Sequence, residues 1–239
     1  MYADDIMLVA ASIKNLQCLI TIAEKCFLEI NLKFNLNKCC ALRIRSRCHV
    51  ACADLKLNNG AIPWQCEIKY LGVILCQSAY CKVNLHSNKV KFFRAFNGIL
   101  AKLGSVKNVD TIINLMASNC LSILLFNLES LVLSKSEISS VAFPIHRAYM
   151  KIFNVKDKVS VDWCQFYMHQ LPVEYLLDVR KFKYLKKLSK CECYVMQHLY
   201  RQTAECQLKT LCFKYSLPAS VTYSKFVSTL WVKFESELC

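Results

Sequence analysis

The sequence predicts an α+β fold, with its strands near the N-terminus and an all-helical remainder. Two observations carry this. Strand-like patterns fall within residues 1–80: an apolar run at 6–11, alternation over 39–45 and a strand pair around 68–75. From about His86 onward, apolar positions recur every three or four residues instead.

The chain opens on Tyr2-Ala3-Asp4-Asp5, followed by the apolar run 6–11. That pattern reads as a tight turn leading into a buried strand. Ser12 is a suitable N-cap. Leu16, Leu19, Ile20, Ala23, Phe27 and Ile30 share helical spacing, so 13–31 is expected as an amphipathic helix. Residues 39–45 alternate, which would place Arg43, Arg45 and Arg47 on one face of an extended run. Asn58-Asn59-Gly60 is a turn signal, and a second strand pair is expected around 68–75. The one boundary that composition suggests is 77–88. Beyond it, Val90, Phe93, Phe96, Ile99, Leu100 and Leu103 form a stripe ending at Gly104, a good C-cap. Further helices are expected near 109–132, 136–153, 172–190, 192–215 and 219–237. Pro172 would sit in a first turn, whereas Pro144 would kink or split its helix.

Composition narrows the class. With 55% hydrophobic and 20% charged residues, the chain can bury a core and is not of disordered type. A net charge of +14 favours an anionic partner, and nucleic acid comes first. Run 112–133 is the most membrane-like stretch, but Asn114, Asn119, Asn127 and Glu129 interrupt it, so a buried helix is expected. No basic apolar leader opens the sequence, and its sixteen cysteines lie among apolar residues. They read as small core hydrophobes in an intracellular, reducing compartment. Cys191, Cys193, His198 and Cys206 have the wrong spacing for a zinc site, since one residue separates the first pair.

Two adjacent carboxylates on one turn repel each other, and a divalent cation removes that cost. Hard oxygen ligands suit Mg²⁺, which runs phosphoryl transfer. Three further blocks follow the tetrad: Leu32-Lys33-Phe34-Asn35-Leu36-Asn37-Lys38-Cys39, Leu55-Lys56-Leu57-Asn58-Asn59-Gly60 with Ile68-Lys69-Tyr70-Leu71-Gly72, and the pair 93–100 and 146–153. Together, in this order, they resemble the reverse transcriptases of LINE-type (non-LTR) retrotransposons over roughly residues 1–190. Cys39 stands where that family usually has Ser or Thr.

The resemblance implies a domain plan: 1–80 a partial polymerase palm, 81–190 a helical thumb-like region, and 191–239 a C-terminal helical extension of unknown role. It implies RNA-templated addition of deoxynucleotides to a DNA primer, with Mg²⁺ held by Asp4 and supported by Asp5. It places Lys38 near the leaving pyrophosphate and Tyr70, Leu71 and Gly72 in the primer grip. For a functional enzyme it implies a nuclear location. Arg180, Lys183, Lys187 and Lys190 share one helical face, which is either a solvated face or a track for nucleic-acid phosphates. The family's other catalytic Asp lies upstream of the tetrad. A truncated chain without polymerase activity, binding Mg²⁺ weakly, is therefore the expectation. The alternative is a non-catalytic basic helical module that binds nucleic acid or protein.

Overall fold

The computed structural model describes residues 5–103 and 108–239. Asp4, Tyr2 and the expected C-cap Gly104 lie outside the described residues. The fold is α+β, and the chain divides into two compact units, Met1–Asn84 and Leu85–Cys239.

In the first unit, helix α1 (Ile13–Glu29) begins where Ser12 accepts a hydrogen bond from the Asn15 N–H at 3.1 Å. It packs on a hairpin of β1 (Leu55–Leu57) and β2 (Gly60–Ile62), paired Leu55 to Ile62 and Leu57 to Gly60. The core is small: Ile20, Ala41, Leu55, Leu57 and Ile62, with Leu8, Leu16, Phe34, Leu36 and Trp64 around it. Of the expected α1 stripe, Ile20 is fully buried, whereas Ile30 is 61% exposed. The hairpin covers only part of that face.

A second sheet holds β3 (Glu67–Tyr70), β4 (Val73–Cys76) and β5 (Lys82–Val83), all antiparallel in the order β3-β4-β5. Between the two sheets runs the thread 41–45. Ala41 bridges Trp64, and Ile44 bridges Ser78, both in parallel sense. Arg43 donates to the carbonyls of Val50 and Arg47, closing a turn. Arg47 therefore sits in that turn rather than on the extended face expected for it.

The strand expected at 6–11 does not form a ladder among the described residues. Burial nonetheless alternates along it. Ile6, Leu8 and Ala10 are half-buried, while Met7 and Val9 face out, Val9 at 78% exposure. An extended backbone turns successive side chains to opposite sides; a ladder also needs a neighbouring strand to accept its hydrogen bonds.

The second unit is helical: α2 (His86–Leu103), α3 (Val109–Leu115), α4 (Leu121–Leu124), α5 (Lys135–Phe153), α6 (Lys158–Tyr167), α7 (Val173–Ser189), α8 (Tyr194–Leu199), α9 (Glu205–Phe213) and α10 (Tyr223–Leu238). The single helix expected over 109–132 is broken. A π-turn, Met116–Cys120, separates α3 from α4, and Asn127 turns left-handed at φ 57°. Local side chains compete for its carbonyls: Ser118 Oγ donates to Asn114 O at 2.9 Å and Asn119 Nδ2 to Leu115 O at 3.2 Å. Pro144, by contrast, does not split α5, which runs through it with Pro144 buried. Packing of α5 against α2, α6 and α7 holds the helix. Helix α6 was not anticipated from periodicity. Asp157 caps it, accepting from the Ser160 N–H at 2.7 Å and from the Ser160 hydroxyl at 2.9 Å. Those bonds hold the Asp157 carboxyl below its ordinary range.

Helices α7, α9 and α10 enclose one apolar core in which Phe182 stacks on Phe226 with ring centroids 4.2 Å apart. None of the sixteen cysteines is in a disulfide. Among the described residues no helix is long and apolar enough to cross a membrane.

Candidate nucleic-acid interface

Among the described residues the tetrad is represented by Asp5, an exposed carboxylate at an isolated bridge position. Among the described residues no group of three or more His, Cys, Asp or Glu is placed to hold a metal ion. The described donors thus amount to one carboxylate, which is not a Mg²⁺ site by itself.

Lys38 ends a single 3₁₀ turn, Leu36–Lys38, and is exposed. Asn35 sets that turn, its Oδ1 accepting from the Asn37 N–H at 3.1 Å, and Phe34 packs edge-on to Phe27 at 4.9 Å. Phe34 and Asn35 thus shape the local backbone that carries Lys38. No ion pair or hydrogen bond joins the Asp5, Lys38 and Tyr70 side chains among the described residues.

Tyr70, Leu71 and Gly72 sit at the tip of the β3–β4 hairpin. Leu71 has φ 46° and Gly72 φ 83°. Positive φ at both central residues makes a type I′ turn, whose twist matches the flanking strands. Gly adopts that backbone freely; Leu is strained there. Leu71 is 39% exposed.

The basic face of α7 divides in two. Arg180 Nε lies 3.5 Å from Glu129 Oε2, Lys181 donates to the Leu131 carbonyl at 3.3 Å, and Lys186 donates to the Ala219 carbonyl at 2.8 Å. Burial also pushes the Lys181 ammonium below its ordinary pKa. Lys183, Lys187 and Lys190 are exposed and have no ion-pair partner among the described residues. Their spacing sets them along one side of the helix.

A second basic surface escaped the sequence reading. Helices α2 and α5 flank a groove of about 640 Å³ lined by Phe93, Asn97, Arg147, Met150, Lys151 and Lys156, among others, with no carboxylate in the lining among the described residues. The signal was present in part, since Arg147 and Lys151 are four apart on α5. What the sequence did not reveal is that α2 would supply the opposite wall.

A family model of reverse transcriptase (RNA-dependent DNA polymerase) matches residues 1–75. The matched span holds Asp4, Asp5, Lys38 and residues 70–72. Residues 1–75 are thus similar to reverse transcriptases, a family that works on a nucleic-acid template with nucleotides and divalent metal ions. No curated protein and no solved structure matches the chain.

Proposed function

We infer that this chain derives from the reverse transcriptase of a LINE-type retrotransposon and acts on nucleic acid through a basic helical unit. The observation that carries this is the reverse transcriptase match over residues 1–75. The net charge of +14 and the outward lysines of α7 support it. Residues 1–80 correspond to a partial palm, 81–190 to a thumb-like region and 191–239 to an extension. Asp4 and Asp5 are the remnant metal ligands, Lys38 the leaving-group lysine, and Tyr70, Leu71 and Gly72 the primer grip. On α7, Arg180 holds Glu129, and Lys183, Lys187 and Lys190 meet phosphates of template or primer.

A polypeptide of these 239 residues carries only part of a two-metal ligand set, because that chemistry needs carboxylates that bridge both ions. It should therefore bind nucleic acid without extending a primer. Primer extension on an RNA template with Mg²⁺ and deoxynucleotides tests this. Template-dependent incorporation that disappears in Asp4→Asn would overturn the inactivity. Absence of any salt-sensitive binding to RNA or DNA would overturn the nucleic-acid reading itself.

A further inference from the structure

We propose that the α2–α5 groove binds an unpaired nucleotide of a single-stranded nucleic acid, separately from the α7 lysines. This deepens the nucleic-acid reading above and rests on it.

The groove joins two chemistries. Arg147 and Lys156 are exposed and have no ion-pair partner among the described residues. Lys151 donates to Asn97 Oδ1 at 3.3 Å, a bond across the groove that fixes its ammonium at the rim. Three cations around an opening that no carboxylate among the described residues lines select an anion. Between them lie the half-buried side chains of Phe93 and Met150. A duplex presents its phosphates and keeps its bases stacked, so it would engage the rim and leave that apolar wall uncovered. An unstacked base fills it, laying its flat face on Phe93 while the adjoining phosphates reach Arg147 and Lys156. Helix geometry makes the wall rigid. Phe93 and Asn97 are one turn apart on α2, Arg147 and Lys151 one turn apart on α5, and Lys89 further ties the two helices by donating to Ser140 Oγ at 2.8 Å. The turn at Asn154, with φ 54°, ends α5 just before Lys156 joins the rim.

The test uses the full 239-residue chain, fluorescence anisotropy, and two labelled probes: a thymidine 12-mer and a 12-base-pair DNA duplex. Arg147→Gln with Lys156→Gln removes two cations without taking away any internal partner. It should weaken single-strand binding about tenfold and flatten the salt dependence by about 1.4, two phosphates at about 0.7 each. Phe93→Leu keeps an apolar side chain but loses the aromatic face. It should weaken single-strand binding about tenfold with the salt slope unchanged. Duplex affinity should move less than about twofold in Phe93→Leu, because a duplex offers no unstacked base to that wall. Melting curves matching the unsubstituted chain guard against a folding defect in Phe93→Leu. Unchanged single-strand affinity in both variants overturns the groove and leaves the wider reading standing. Equal losses on both probes in Phe93→Leu overturn the base-binding role. A chain that binds neither probe overturns the groove and the reading beneath it together.

Discussion

The side-chain amide of Gln17 meets both backbone polar groups of Lys56, donating from Nε2 to the carbonyl at 2.8 Å and accepting at Oε1 from the N–H at 2.8 Å. Lys56 sits in β1, whose ladder partner is β2 on one side only. On the other side Gln17 does what a further strand would do. Seven residues along the same helix, Glu24 Oε1 accepts from the Asn58 N–H at 2.8 Å. Helix α1 therefore closes the open edge of the hairpin with two polar side chains, and an edge so occupied is less available to another chain.

Gln17→Ala removes two exposed hydrogen bonds and returns their backbone partners to water. The expected cost is about 1 kcal/mol, at the low end for two bonds because the site is solvated. Hydrogen exchange at the Lys56 amide reads it directly, with exchange expected to accelerate about fivefold. An unchanged rate would mean that the amide is protected by something other than Gln17.

Gly60 opens β2 at φ 147°, and a Cβ built there would lie 2.6 Å from Leu36 Cδ2. Leucine Cδ2 is a side-chain end and can swing aside, so the backbone conformation is the larger obstacle. Gly60→Ala should cost about 1–3 kcal/mol. Trp64 fluorescence during urea unfolding reports on this hairpin once Trp163 and Trp231 are replaced by Phe. A midpoint that does not fall would show that the turn relaxes to another form.

Leu71 presents the reverse case. It occupies the first central position of a type I′ turn, where Asn is preferred. Its side chain is 39% exposed, so replacing it forfeits little burial. Leu71→Asn should stabilise the first unit by about 1 kcal/mol. The same unfolding midpoint measures it, and a fall would mean that Leu71 packs more tightly than its exposure indicates.

Much of this was legible in the sequence, for local reasons. Ser12, Asn58-Asn59-Gly60 and the 68–75 hairpin announce themselves because caps and turns depend on neighbouring residues. The basic stripe of α7 was legible too. The division of that stripe was not, because Glu129, Leu131 and Ala219 lie far from α7 in sequence and only packing brings them to it. The π-turn at Met116–Cys120 was hidden for a related reason. Its apolar residues keep a helical rhythm, while Ser118 and Asn119 decide the hydrogen-bond register. Gln17 gave no signal, since a glutamine on a helix surface is ordinary until a strand edge comes to lie beside it.

His146 makes the second unit sensitive to pH. Burial lowers its pKa from the ordinary value, and Lys158 lowers it further, while Asp162 and Glu174 act the other way. The unfolded chain then binds more protons than the folded one just below an ordinary histidine pKa of about 6.5. Stability should therefore fall as pH drops from neutral through that window. Asp162, whose carboxyl burial pushes up, has the opposite sign and acts in a lower window, near the carboxylate range. His146→Gln should flatten the upper part of the melting-temperature profile and leave the lower part. A profile with the same slope in the variant would assign the dependence to another group.

The sharpest division to test runs along α7. Arg180 pairs with Glu129, whose Oε2 is buried and has no hydrogen-bond partner. Arg180→Gln leaves that carboxylate without its cation, so the expected effect is on stability, about 1 kcal/mol because both side chains keep some contact with water. Nucleic-acid binding should change little. Lys183, Lys187 and Lys190 are the reverse: they contact water and support no neighbour that their removal would strand. Replacing all three by Gln should leave the melting temperature in place. It should reduce duplex affinity and flatten its salt dependence by about 2 to 3, near 0.9 for each phosphate released. Melting and salt titration on the two variants make a crossed comparison. If Arg180→Gln lowered the salt slope as much as the triple variant, the ion pair would have to open when nucleic acid binds. If the triple variant bound duplex as before, the α7 face would be solvated only.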